Sequence, residues 1–170
     1  MQIHSPLSVL PDSYYVHIGS ALQKWAILEY MLMTIIWEAL KLDNKAGRAL
    51  TVGMNIPTLT GILRNLHRQW VTDPAITEDI RVLCNDIKEH VVTRNNLVHG
   101  IWTADHQAEN RVPHLNYMKE AAQRILPHAE AVKPEQLRDF AEIVNILVNR
   151  SSGLLTRIRN APAPMPDTGQ

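Results

Sequence analysis

At 170 residues the chain is long enough for one domain to bury a core without disulfides or a structural metal. Its 17 Lys and Arg balance 17 Asp and Glu, so no net charge draws a polyanion to the surface as a whole. The single cysteine, Cys84, excludes a disulfide framework and, lacking a second soft ligand, a typical structural zinc site, so a reducing, cytoplasmic setting is expected.

Met1 to Leu10 has neither the positive start nor the long apolar run of a secretory signal, so export is not expected. Asp12 and Ser13 can cap a helix running to about Leu40, with Ile18, Leu22, Trp25, Leu32 and Ile36 at helical spacing. Its most apolar part, Ala26 to Leu40, is too short for a bilayer and is interrupted by Glu29 and Glu38, which predicts a buried helix and no membrane partner. A short helical stretch over Ala46 to Val52 breaks at Gly53, and Asn55-Ile56-Pro57 restarts a helix ending near Trp70. Asp73-Pro74 opens the next, whose stripe of Ile80, Leu83, Ile87, Val91 and Val98 lasts until Gly100.

From Ile101 to Lys133 the helical period is lost and Pro113, Pro127 and several His accumulate, which predicts a long loop with a short extended hairpin near Val112 to Met118. Pro134 opens a last helix on which Leu137, Phe140, Val144, Leu147, Leu154 and Ile158 form a heptad-like stripe. The Ala-Pro-Ala-Pro-Met-Pro run after it predicts a disordered tail over 161–170. Seven Gly, ten Pro and one Phe argue against an all-β chain. The expectation is all-α: a four- to five-helix up-and-down bundle over residues 1–160, with a long loop or small hairpin before the last helix.

One segment carries specific chemistry: Arg94-Asn95-Asn96-Leu97-Val98-His99-Gly100. Arg94 follows Ile87 by seven residues and so falls on the apolar stripe, where a guanidinium needs a partner. Asn95 and His99 are four apart and share a neighbouring face, while Gly100 lets the chain turn away and leaves His99 near an open helix end. Glu29, four residues after Trp25, places a carboxylate inside the stripe of the first helix, where an unpaired charge is costly. A contact of Glu29 with Arg94 or Asn95 is therefore expected, either orienting the arginine or serving as a structural salt bridge alone.

An Arg with an adjacent polar residue and a His a few positions on, closing a helix in an all-helical chain, resembles the signature of the HEPN superfamily. Arg94, Asn95 and His99 match that signature, and Gly100 after the His is common in such proteins. The resemblance is close only over Arg94 to Gly100 and loose elsewhere. It implies a metal-independent endoribonuclease of toxin or defence type, or a descendant of one, assembled as a homodimer whose Arg and His pairs meet at the interface. RNA would be the substrate, an antitoxin a partner, and no cofactor or metal is expected. The residues suit this chemistry: His99 can move the proton of a ribose 2′-hydroxyl or of the departing 5′-oxygen, Arg94 can stabilise charge on the phosphorane, and Asn95 can hold a phosphate oxygen.

A dimer is also expected because the stripe of the last helix and four Trp exceed the apolar surface one bundle needs. Trp102, just past His99, is placed to stack on a base or to pack over the bundle end. His90, His99, His106, His114 and His128 have no metal-ligand spacing. Arg150, Arg157 and Arg159 give the last helix a basic end, and Arg64, His67 and Arg68 do so for the third, read as solvated caps rather than an RNA groove. The alternative to a nuclease is a non-catalytic helical homodimeric interaction module in which the Arg-to-His segment is structural.

Overall fold

Caps and prolines set the helix starts where the sequence puts them. The structure, a computed structural model, describes residues 10–70, 73–104, 113–121 and 124–161. Its elements are α1 (Asp12–Ala39), α2 (Asn44–Thr51), α3 (Ile56–Trp70), α4 (Pro74–His99), β1 (Ile101–Ala104), β2 (Pro113–Ala121), β3 (Arg124–Ala131) and α5 (Pro134–Asn160). Asp43 caps α2 by accepting from Ala46 N at 2.8 Å, Asn55 accepts from Thr58 N at 3.0 Å before α3, and Asp73 accepts from Ala75 N at 2.8 Å before α4. At α5 the Lys133 amide donates to Gln136 Oε1 at 2.7 Å, the backbone half of a capping box. The chain is mostly helical, as expected, and among the described residues no helix is long and apolar enough to cross a membrane.

The chain divides into two compact units, Met1–Gln23 with His90–Ile143 and Lys24–Glu89 with Val144–Gln170; α1, α4 and α5 contribute residues to both. Among the described residues the second unit holds helices and no strand. Its core is built from the stripes of four helices, with Leu28, Leu32, Ile35 and Ile36 of α1, Leu59 and Leu63 of α3, Ile80, Leu83 and Ile87 of α4, and Val144, Leu147 and Leu154 of α5 all buried. Cross-helix polar bonds accompany this packing: Arg64 Nη2 donates to Asn85 Oδ1 at 2.8 Å, and the Cys84 thiol points at Thr60 O, 3.8 Å away.

The other unit departs from the sequence expectation. Instead of a long loop, Ile101 onward forms a three-stranded antiparallel sheet in the order β1-β2-β3. Ile101 faces Asn116 and Ala104 faces Pro113 in the first pair; His114 faces Ala131 and Ala121 faces Arg124 in the second. The stretch Val112 to Met118, expected as a short hairpin, lies from Pro113 onward within the single strand β2. The two prolines that read as breakers sit where a sheet tolerates them: Pro113 is the first residue of β2 and Pro127 lies on the edge strand β3. Leu115 is buried, and Tyr14 of α1 donates its hydroxyl to Val132 O at 2.7 Å. The absent signal over residues 1–9, His106 and the proline-rich tail over 162–170 are expectations that lie outside the described residues.

Candidate functional site

α4 runs without a break through Arg94, Asn95 and His99, so the three side chains occupy its last two turns. The helix is closed by Gly100 N donating to Asn96 O at 2.8 Å, after which the chain enters β1 directly. The glycine is required by space rather than by a left-handed turn. Among the described glycines only Gly53 has positive φ, whereas a Cβ on Gly100 would lie 2.5 Å from Asn96 O, 2.5 Å from Leu115 Cδ1 and 3.1 Å from Asn116 O. The helix end is thus seated on β2. Asn116 tightens the junction by donating its side-chain amide to Ile101 O at 3.1 Å and to Thr103 Oγ1 at 2.8 Å.

Arg94 is half-buried, as its place on the stripe requires. Its Nη1 donates to Asn95 Oδ1 at 3.1 Å, and its Nε is buried with no hydrogen-bond partner. That leaves a cation whose only hydrogen bond within the described residues goes to a neutral amide. Arg81, Arg138, Arg150, Arg157 and Arg159, by contrast, each pair with a carboxylate. His99 is exposed at the last helical position, four residues from the exposed Asn95. Two large apolar side chains close to it in sequence stand in solvent: Val92 is 64 % exposed and Ile101 68 %. Imidazole, amide and guanidinium thus sit within the last two turns of one helix.

Trp102 packs edge to face on Tyr14, with centroids 5.9 Å apart and planes at 77°. Glu29 belongs to the second unit, where it lines an open groove with Tyr30, Met33, Trp37, Arg48 and the Thr51–Met54 turn; among the described residues it makes no ion pair. His90 lies edge-on to Phe140, centroids 6.3 Å apart, and His128 Nε2 is 3.8 Å from Glu130. Among the described residues no three His, Cys, Asp or Glu side chains converge on a metal position.

The basic end of α5 is exposed to solvent, and its arginines are ion-paired. Arg150 pairs with Asp86, Arg157 with Asp79, and Arg159 Nε with Glu38 at 3.2 Å. Asp79 and Asp86 are one heptad apart on α4, and Arg150 and Arg157 one heptad apart on α5, so an antiparallel pair of helices brings both rungs into register. The matching spacing of acids and bases is the sequence signal that would have found this ladder. Nothing in the local sequence marks the groove beside Trp37, because it depends on how α1 and α2 meet.

Set against protein-family models, curated proteins and solved structures, the chain finds no match in any of the three comparisons.

Proposed function

We propose that the chain is a HEPN-like, metal-independent endoribonuclease, or a descendant of one, working as a homodimer. His99 serves as general acid or base, Arg94 stabilises the phosphorane and Asn95 holds a phosphate oxygen. The observation that carries this reading is the state of Arg94: a guanidinium with a buried, unpartnered Nε and, among the described residues, no ion pair, five residues before an exposed imidazole. A cation kept only for structure is normally paired, as the arginines of α5 are.

In the reaction the ribose 2′-oxygen gives its proton to one His99, forms a bond to phosphorus and displaces the 5′-oxygen. That oxygen takes a proton from a second imidazole, leaving a 2′,3′-cyclic phosphate and a 5′-hydroxyl. Two copies of His99 supply both roles if the apolar rim of Val92 and Ile101 is covered by a second copy of the chain. Cleavage that persists in EDTA, leaves cyclic phosphate ends and is lost in His99→Ala supports the assignment. Metal-dependent cleavage, or a chain that is monomeric at micromolar concentration, removes it.

A second reading is a non-catalytic homodimeric module. It draws on the ion pairs that neutralise Arg150, Arg157 and Arg159, which leave no basic groove on that face for RNA. On this reading His99→Ala is silent in every RNA assay while the exposed apolar rim still drives dimerisation.

A further inference from the structure

A groove of 530 Å³ opens in the unit formed by Lys24–Glu89 and Val144–Gln170, between α1 and the end of α2. Its volume falls in the range of ligand sites, roughly 300–1,000 Å³. The floor is rigid. Trp37 Nε1 donates to Thr51 Oγ1 at 3.1 Å, Thr51 donates to Gly47 O at 2.9 Å, and the indole is seated so closely on Gly47 that a Cβ there would be 2.5 Å from the ring. Tyr30 stands edge-on to Trp37, centroids 6.1 Å apart and planes at 89°. Above this floor the walls are bare: Tyr30 is 50 % exposed and Val52 79 %. Gly53, at φ +77, turns the chain there, with open space on its Cβ side. Met33 and Met54 supply adaptable apolar contact.

Two opposite charges mark the groove. Glu29 precedes Trp37 by eight residues, which is about 12 Å along the helix axis. Arg48 directly follows Gly47, the residue on which the Trp37 ring is seated, and lines the same groove. Neither Glu29 nor Arg48 forms an ion pair with any described residue. An open, largely apolar groove that carries an unpaired acid and an unpaired base among its lining residues complements a chain segment bearing both opposite charges rather than a compact small molecule, which would need to be enclosed.

We propose that this groove binds an extended peptide segment of another protein, with a basic residue, an apolar residue and an acidic residue at alternate positions. An extended chain rises about 3.3 Å per residue, so positions one and five of such a segment stand about 13 Å apart. Residues one, three and five then share the face that meets the groove. The basic residue answers Glu29, the central apolar one sits on Tyr30, Met33 and Met54, and the acidic one answers Arg48.

The test is a titration of the ¹⁵N-labelled full chain with acetyl-Lys-Thr-Leu-Thr-Asp-amide. Expected are shifts confined to the Trp37 indole N–H and the amides of Val52, Gly53 and Met54, with binding weakened about five-fold or more in Glu29→Gln and in Arg48→Gln. Arg48→Glu should lose this peptide and gain acetyl-Lys-Thr-Leu-Thr-Lys-amide, a rescue that a misfolded variant cannot show. Equal binding of a peptide with Gln and Asn in place of Lys and Asp overturns the proposal, as does failure to saturate at millimolar concentration. Movement of the Trp37 and Gly53 signals on dilution of the free protein also overturns it, because a second copy then occupies the groove.

Discussion

Gly100 and Leu115 stand so close that a Cβ on the glycine would lie 2.5 Å from the leucine's Cδ1. The leucine side chain can swing aside, but the carbonyl oxygens of Asn96 and Asn116, 2.5 Å and 3.1 Å from the same point, cannot. Gly100→Ala should therefore destabilise the fold by about 1–3 kcal/mol, the usual range for overpacking. Adding Leu115→Ala should not restore the loss, since the backbone clash remains. Urea unfolding of the single and double variants decides this, and full recovery in the double variant would place the clash on the side chain instead.

Arg94 and His99 should separate stability from activity. His99 is exposed, so His99→Ala should keep its melting temperature while cleavage falls about 10²-fold or more. Arg94→Met should also abolish cleavage, yet leave stability unchanged or improved, because it removes a buried donor with no partner, a group that costs about 1–3 kcal/mol. If the arginine instead answers the Glu29 carboxylate, as expected from sequence, its loss strands that charge and lowers stability. An Arg94→Met variant that merely unfolds, from a wild type that cleaves no RNA, would support the interaction module.

The two rungs between α4 and α5, Asp79 with Arg157 and Asp86 with Arg150, have half-exposed side chains. Each should contribute no more than about 1 kcal/mol, as surface pairs do. A double-mutant cycle with Asp79→Asn and Arg157→Gln should give a coupling of about 0.2–1 kcal/mol that shrinks in molar salt. A coupling untouched by salt would mean that the pair is desolvated.

Between those rungs Gly153 sits inside α5 with open space where a Cβ would go, beside a 270 Å³ cavity lined by Leu83 and Leu154. Gly153→Ala should raise stability by about 0.5–1 kcal/mol through helix propensity alone. Thermal unfolding tests it, and a loss of stability would show that the glycine has a conformational duty.

Burial pushes the Cys84 thiol above its ordinary value, while the nearby Arg64 pulls it down less strongly. Burial, with the Glu135 charge adding to it, likewise raises the Tyr14 hydroxyl. For both groups the folded state favours the protonated form, so their contribution is fully present below the ordinary pKa values, about 8.5 for the thiol and about 10 for the phenol, and is lost as pH rises through the raised ones. Stability measured from pH 7 upward should fall on the alkaline side, and Cys84→Ala with Tyr14→Phe should flatten that fall.

Helix positions were legible in the sequence because their signals are local. Asp43, Asn55 and Asp73 cap with their own side chains, Pro74 and Pro134 open helices, and the apolar stripes repeat within each segment. The same locality placed Arg94, Asn95 and His99 together at the end of α4. Sheet pairing is not local. Pro113 and Pro127 read as breakers until β1, β2 and β3 are aligned and the prolines prove to stand at a strand start and on an edge. The role of Gly100 and the groove beside Trp37 likewise depend on residues distant in sequence, so only the tertiary structure could decide them.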